Sequence, residues 1–115
     1  MPPLTHPLDC LVPAFKALSD PTRLRLLNLL SEGEVCVCFL CDVLEMDQPK
    51  VSRHLAYLKR AGLVTSRKDA QWQHYSWAEQ AYPVADKIIG ELRAWMAADK
   101  RMTKEREKLK RCCCQ

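Results

Sequence analysis

Apolar residues recur at helical spacing along most of this chain. Leu8, Leu11, Val12, Phe15 and Leu18 predict a first amphipathic helix, with Pro13 either kinking it or moving its start towards Val12. Before it, residues 1–7 are proline-rich and aperiodic, as in a loose arm. Asp20-Pro21-Thr22-Arg23 opens a second helix: Asp20 can cap free N–H groups, and Pro21 suits the first helical position. Leu24, Leu27 and Leu30 form its buried stripe, widened by Leu26 and Leu29, and Gly33 supplies a left-handed stop. A short helix over residues 38–44 turns Leu40, Val43 and Leu44 inward. After Glu45-Met46, Asp47-Gln48-Pro49 repeats the cap-then-proline signal and starts a helix with Val51, Leu55 and Leu58 buried, closed by Gly62. Two short helices joined by a tight turn, the second ending in Gly, make a helix-turn-helix pattern.

The period then changes from helical to alternating. Residues 63–67 and 72–77 are rich in β-branched and aromatic side chains and flank polar Lys68-Asp69-Ala70-Gln71, which predicts a β-hairpin. The turn has no Gly, so Asp69 is expected to take the positive φ. From Pro83, the residues Val84, Ile88, Ile89, Leu92, Trp95 and Met96 mark a last apolar helix. The expected fold is mainly α with a small β-hairpin, a winged helix-turn-helix. The last helix carries more apolar surface than one domain can cover, so a homodimer is expected.

Composition refines this picture. The 115 residues fit one core, placed here in residues 1–98, followed by a basic, Cys-ended tail over 99–115. The net charge of +4 is concentrated in that tail: residues 100–115 hold seven Lys/Arg and two Glu, a net +5, which leaves 4 − 5 = −1 for residues 1–99. Any nucleic-acid footprint must therefore be local. No apolar run reaches about 18 residues and no signal-peptide pattern opens the chain, so no membrane partner and a cytoplasmic location are expected.

Seven cysteines stand as Cys10, then Cys36, Cys38 and Cys41, then Cys112, Cys113 and Cys114. This clustered, odd-numbered layout points to ion binding or redox chemistry rather than a disulfide framework. At about 100° per helical residue, Cys38 and Cys41 share a face and Cys36 lies nearly opposite. Three thiolates can then meet one ion only if Cys36 precedes the first turn or that turn distorts. The positive end of the helix is expected to favour thiolate. All-sulfur ligation selects soft ions. Three sulfurs suit As(III) or Sb(III), whose lone pair fills the remaining direction, whereas Zn(II) wants a fourth ligand, which Cys10 could supply. Cys112, Cys113 and Cys114 form a candidate accessory site. The competing reading treats these cysteines as small core residues. An oxyanion-binding cysteine loop would need an Arg six positions after its Cys. Asp42, Leu44 and Asp47 stand there instead, so no enzyme activity is expected.

With Val51, Leu55 and Leu58 buried, the other face of that helix carries Arg53, Tyr57 and Arg60, with Gln48, Lys50 and Ser52 in or near its first turn. These residue types can read base edges or hold phosphates of double-stranded DNA. Arg67, Lys68 and Gln71 on the hairpin can reach the backbone or minor groove.

Leu18-Ser19-Asp20-Pro21-Thr22-Arg23-Leu24, Glu34-Val35-Cys36-Val37-Cys38 and Gln48-Pro49-Lys50-Val51-Ser52-Arg53-His54-Leu55, through Ala61-Gly62-Leu63-Val64, resemble the ArsR family of metalloregulatory repressors. The likeness spans roughly residues 9–98, and the Cys-x-Cys-x-x-Cys run is similar to its arsenic-sensing branch. It implies As(III) or Sb(III) held by Cys36, Cys38 and Cys41, release of an operator by a homodimer, and expression of arsenic-resistance genes. The chain departs from the family pattern at Phe39, where Asp is common, and in the Gly-free hairpin turn. It also lacks the His and carboxylate pairs of zinc-sensing relatives on its last helix. Cys10 with Cys36 and Cys38 resembles the cadmium- and lead-sensing branch, which keeps Cd(II) or Pb(II) open as inducers. A thiol redox switch and a DNA-binding module without a sensor are the remaining alternatives.

Overall fold

The computed structural model describes residues 5–113. Its elements run α1 Leu8–Leu18, α2 Pro21–Leu29, β1 Val35–Cys36, α3 Val37–Leu44, α4 Gln48–Arg60, β2 Val64–Asp69, β3 Trp72–Trp77, α5 Pro83–Ala98 and α6 Lys100–Cys113. The architecture is mainly helical, with a three-stranded antiparallel sheet ordered β1-β3-β2. The core lies where α2, α3 and α4 meet, around Leu26, Leu27, Leu30, Leu40, Val51, Leu55 and Leu58.

Local chemistry accounts for the helix ends. The Asp20 carboxylate accepts from the Arg23 N–H at 3.0 Å, and that of Asp47 from the Lys50 N–H at 2.9 Å. Each cap precedes a proline in its helix's first turn. At the end of α4, Gly62 takes φ 79°, its N–H reaching the Lys59 carbonyl and that of Leu63 reaching Leu58. That pair of bonds, with Leu58 and Leu63 both buried, is a Schellman stop.

Several expectations need correction. α1 runs from Leu8, where the apolar spacing begins, and Pro13 inside it does not move its start towards Val12; just before it the Asp9 carboxylate accepts from the Thr5 and His6 N–H groups. Its buried residues are the small Ala14 and Ala17, while Leu8, Val12 and Phe15 are about half exposed. The positive φ of the hairpin falls on Ala70, at 55°, rather than on Asp69, which still pairs with Trp72 in the ladder. Finally, residues 99–113 do not trail away. α6 starts on its own cap, Asp99, packs on α2, α3 and α5, and places Met102 and Leu109 in the common core.

What holds α6 is a buried polar network. The Asn28 amide donates to the Met102 carbonyl at 2.9 Å and accepts from Arg106 Nη1 at 2.5 Å. Arg106 also reaches the Met96 and Ala97 carbonyls and the Thr103 hydroxyl. Around it, Arg25 pairs with Glu105, and Glu32 with both Arg106 and Lys110.

Candidate ion site and nucleic-acid interface

β1 is only two residues long, and its second residue is the first thiol. Cys36 pairs with His74 in the sheet and caps α3 in extended backbone, φ −71° and ψ 141°. It therefore stands before the first helical turn, one of the two placements by which three thiols could converge. Its Sγ lies 3.2 Å from that of Cys38. Cys41 follows on the face of α3 shared with Cys38, half-buried. Among the described residues no three His, Cys, Asp or Glu side chains are gathered closely enough to form an ion cage. The arrangement is a close pair with a third thiol on the next turn.

The separation of the close pair is informative. With metal–sulfur bonds of about 2.3 Å, a tetrahedral ion spreads two sulfurs by about 3.8 Å. A separation of 3.2 Å instead corresponds, for the same bond length, to a sulfur–ion–sulfur angle of about 90°. In the ion-free chain that spacing is a thiol–thiol hydrogen bond.

The thiols do not behave as the helix start alone would dictate. Burial, the hydrogen bond to Cys36 and the charge of Cys36 push the Cys38 thiol up to about 11. The Phe39 N–H pulls it down, but less strongly. Burial, then the Asp42 and Asp47 carboxylates, also raise Cys41. The expected thiolate preference is thus overturned by desolvation and neighbouring negative charge.

α3 leads directly into α4. Its last turn closes through Glu45, which takes the left-handed φ of 54°, and through a bond from the Met46 N–H to the Cys41 carbonyl at 3.2 Å. The thiol-bearing residue Cys41 thereby helps to shape the turn that delivers Asp47, the cap of α4. On α4, Gln48, Lys50, Arg53 and Arg60 are exposed and Ser52 and Tyr57 half-buried. The Arg23 guanidinium lies 4.2 Å from the Tyr57 ring centroid and that of Arg60 5.7 Å. Arg23, Arg53, His54, Tyr57 and Arg60 line one cationic cleft of about 450 Å³. Arg23 escaped the sequence reading because its α2 position looks like part of a cap. Only the fold turns it over α4.

Arg67, Lys68 and Gln71 are all exposed on the hairpin. Arg67 is held by Glu34, Nε to Oε2 at 2.8 Å and Nη2 to Oε1 at 2.7 Å. Its guanidinium keeps the Glu34 carboxyl below the usual range. Glu34 carried no role in the sequence reading, since its partner is 33 residues away.

Cys10 stands apart from the thiol run. It lines a cleft of about 440 Å³ with Asp9, Pro13, Lys59, Arg60 and residues of the loop after β3. Cys112 is half-buried against the core on α6. The Cys113 side chain and Cys114 lie outside the described residues.

A model of the bacterial regulatory protein, arsR family, matches residues 20–66, which include the thiol run and all of α4. Over 82 residues the chain is 51% identical to the arsenical resistance operon repressor of Escherichia coli (strain K12), covering 70% of this chain and 68% of that protein. It is 40% identical over 72 residues to a cadmium resistance transcriptional regulatory protein CadC homolog of Staphylococcus aureus, covering 62% and 59%. A probable mercury resistance operon repressor of Streptomyces lividans is 38% identical over 97 residues, covering 84% and 74%. Among solved structures, a homodimeric winged helix-turn-helix DNA-binding domain from Mycobacterium bovis superposes with a TM-score of 0.63 at 28% identity, covering 78% of this chain and 83% of that one. Among the described residues no helix is long and apolar enough to cross a membrane. With its fold, its α3–α4 arrangement and these relatives in agreement, the chain belongs to the ArsR family of winged helix-turn-helix transcriptional regulators.

Proposed function

We propose that this regulator is a homodimeric repressor whose hold on operator DNA is released when As(III) or Sb(III) binds Cys36, Cys38 and Cys41. The observation that carries this reading is the 3.2 Å sulfur pair straddling the first residues of α3, a helix whose Cys41 carbonyl also closes the helix-turn-helix turn. Closing three sulfurs on one ion must bring Cys41 towards that pair. The movement acts on the last turn of α3 and on the entry to α4. The names of the arsenical repressor relatives support the inducer, and three sulfurs without a fourth ligand suit a lone-pair ion better than tetrahedral Zn(II).

The energetics allow it. Thiolate–zinc sites are worth about 10–16 kcal/mol in apparent binding energy, and allosteric coupling of about 1–3 kcal/mol suffices for a 5- to 150-fold loss of DNA affinity. Arsenous acid reacts with three thiols to give the tris-thiolate and three waters, so protons held on Cys38 and Cys41 leave with hydroxide.

The second copy covers apolar side chains that one chain leaves in water. Leu8, Val12 and Phe15 on α1 and Val84 and Trp95 on α5 are 42–59% exposed. Two-fold assemblies are the commonest way to bury such faces. In that dimer two α4 helices enter successive major grooves about 34 Å apart.

The test is an arsenite titration of the protein on a fluorescent operator duplex, run on the parent, Cys36→Ser, Cys38→Ser and Cys41→Ser. Release from the parent and its loss in each variant are expected. Release by peroxide but not by arsenite would replace this reading with a thiol redox switch. Full release from all three variants would remove the thiol site from the account.

A further inference from the structure

Cys36, His74 and Arg67 occupy one row across the sheet, since Cys36 pairs with His74 on one side of β3 and Arg67 pairs with His74 on the other. Glu34, two residues before Cys36, lies on the same face by the alternation of extended chain. Its carboxylate grips Arg67 through two hydrogen bonds of 2.8 and 2.7 Å. Among the described residues the adjacent Lys68 has no ion-pair partner, so the two wing cations are treated differently.

We propose that Glu34 acts as an internal stand-in for DNA phosphate, competing with the operator for Arg67 and tying the wing to the strand that carries Cys36. This rests on the reading of the chain as an ion-released repressor. A planar guanidinium fork fits a carboxylate or a phosphate equally well, so exchanging one for the other conserves two charge-assisted hydrogen bonds. The pair is also well placed to exchange: Arg67 is 57% and Glu34 34% exposed, and exposed ion pairs open easily. Capture of an ion by Cys36 repositions β1, and with it the carboxylate that holds Arg67. The wing thus receives the ion signal by a route separate from the α3–α4 turn.

The experiment is operator binding by fluorescence anisotropy across a salt series, with and without arsenite. It uses the full chain, a duplex selected for tight binding from a random pool, and the parent, Glu34→Gln, Arg67→Gln and the double variant. Glu34→Gln is expected to bind about two- to fivefold tighter, the range an exposed pair can contribute. Arg67→Gln is expected to flatten the log–log salt slope by about 0.9. The gain from Glu34→Gln is expected to vanish in the Arg67→Gln background, and arsenite to weaken the parent by a larger factor than Glu34→Gln. No gain, or an equal gain in both backgrounds, overturns the competition. An arsenite factor unchanged by Glu34→Gln overturns the tie to Cys36. Failure of the parent to bind DNA or to respond to arsenite would instead refute the repressor reading. Far-UV circular dichroism and a cooperative thermal melt of all four proteins confirm that each is folded.

Discussion

Asn28 is fully buried on α2, and both ends of its amide are used: the nitrogen donates to the Met102 carbonyl and the oxygen accepts from the Arg106 guanidinium. Replacing it with Ala removes one neutral hydrogen bond, worth about 0.5–1.5 kcal/mol, and one to a charged group, worth about 1.5–3 kcal/mol. Arg106 keeps the Met96, Ala97 and Thr103 oxygens, so its charge is weakened rather than stranded. The expected cost is therefore about 2–4.5 kcal/mol. At about 4 °C per kcal/mol for a domain of this size, Tm should fall by roughly 8–18 °C. Urea and thermal melts at one fixed protein concentration measure it, because the proposed dimer would make stability depend on concentration. A loss below about 1 kcal/mol would refute the claim that this network fastens α6 to α2.

Other outcomes follow from the same geometry. Ala70→Gly should stabilise by about 0.5–1 kcal/mol in the same melts, since the left-handed φ of 55° costs Ala more than the extra chain entropy of Gly; a destabilised variant would contradict it. Arg53→Gln should weaken operator binding and flatten the salt slope by about 0.9 while leaving arsenite uptake unchanged. The Cys38 thiol, raised to about 11, keeps its proton throughout pH 6–8. A divalent ion must displace that proton, so apparent Cd(II) affinity should rise steeply with pH over this window, whereas arsenite, which releases water, should bind with little change. Isothermal titration in buffers of different ionisation enthalpy checks the proton count, and a flat Cd(II) profile would contradict the sign.

The parts of this molecule that were legible in its sequence are those fixed by neighbours in the chain. Asp20-Pro21 and Asp47-Gln48-Pro49 locate two helix starts because a cap bonds three residues away, and Gly62 locates an end for the same reason. The buried stripe of α4 follows from one face meeting one core. Legibility failed where distant partners decide. The apolar side chains of α1 read as core, yet Leu8, Val12 and Phe15 are about half exposed and its buried positions are Ala14 and Ala17. α6 read as a basic tail because its buried stripe is Met102, Arg106 and Leu109, with a charged residue in the middle. The spacing was helical, but it takes Asn28, Glu32, Thr103 and the carbonyls ending α5 to make an arginine acceptable there. β1 is too short to leave a pattern, and neither the Glu34–Arg67 pair nor the place of Arg23 over Tyr57 has any local signature. At the thiols, spacing identified the shared face of Cys38 and Cys41. The direction of their titration depended on burial and on Asp42, which spacing does not encode.

The account rests on ion and operator opposing each other through one protein, and linkage makes that opposition reciprocal. The direct measurement is the arsenite affinity of the free dimer and of the same dimer saturated with operator duplex. The account predicts weaker arsenite binding to the DNA-bound form, by the same factor by which arsenite lowers operator affinity. Equal arsenite affinity in the two forms would contradict it.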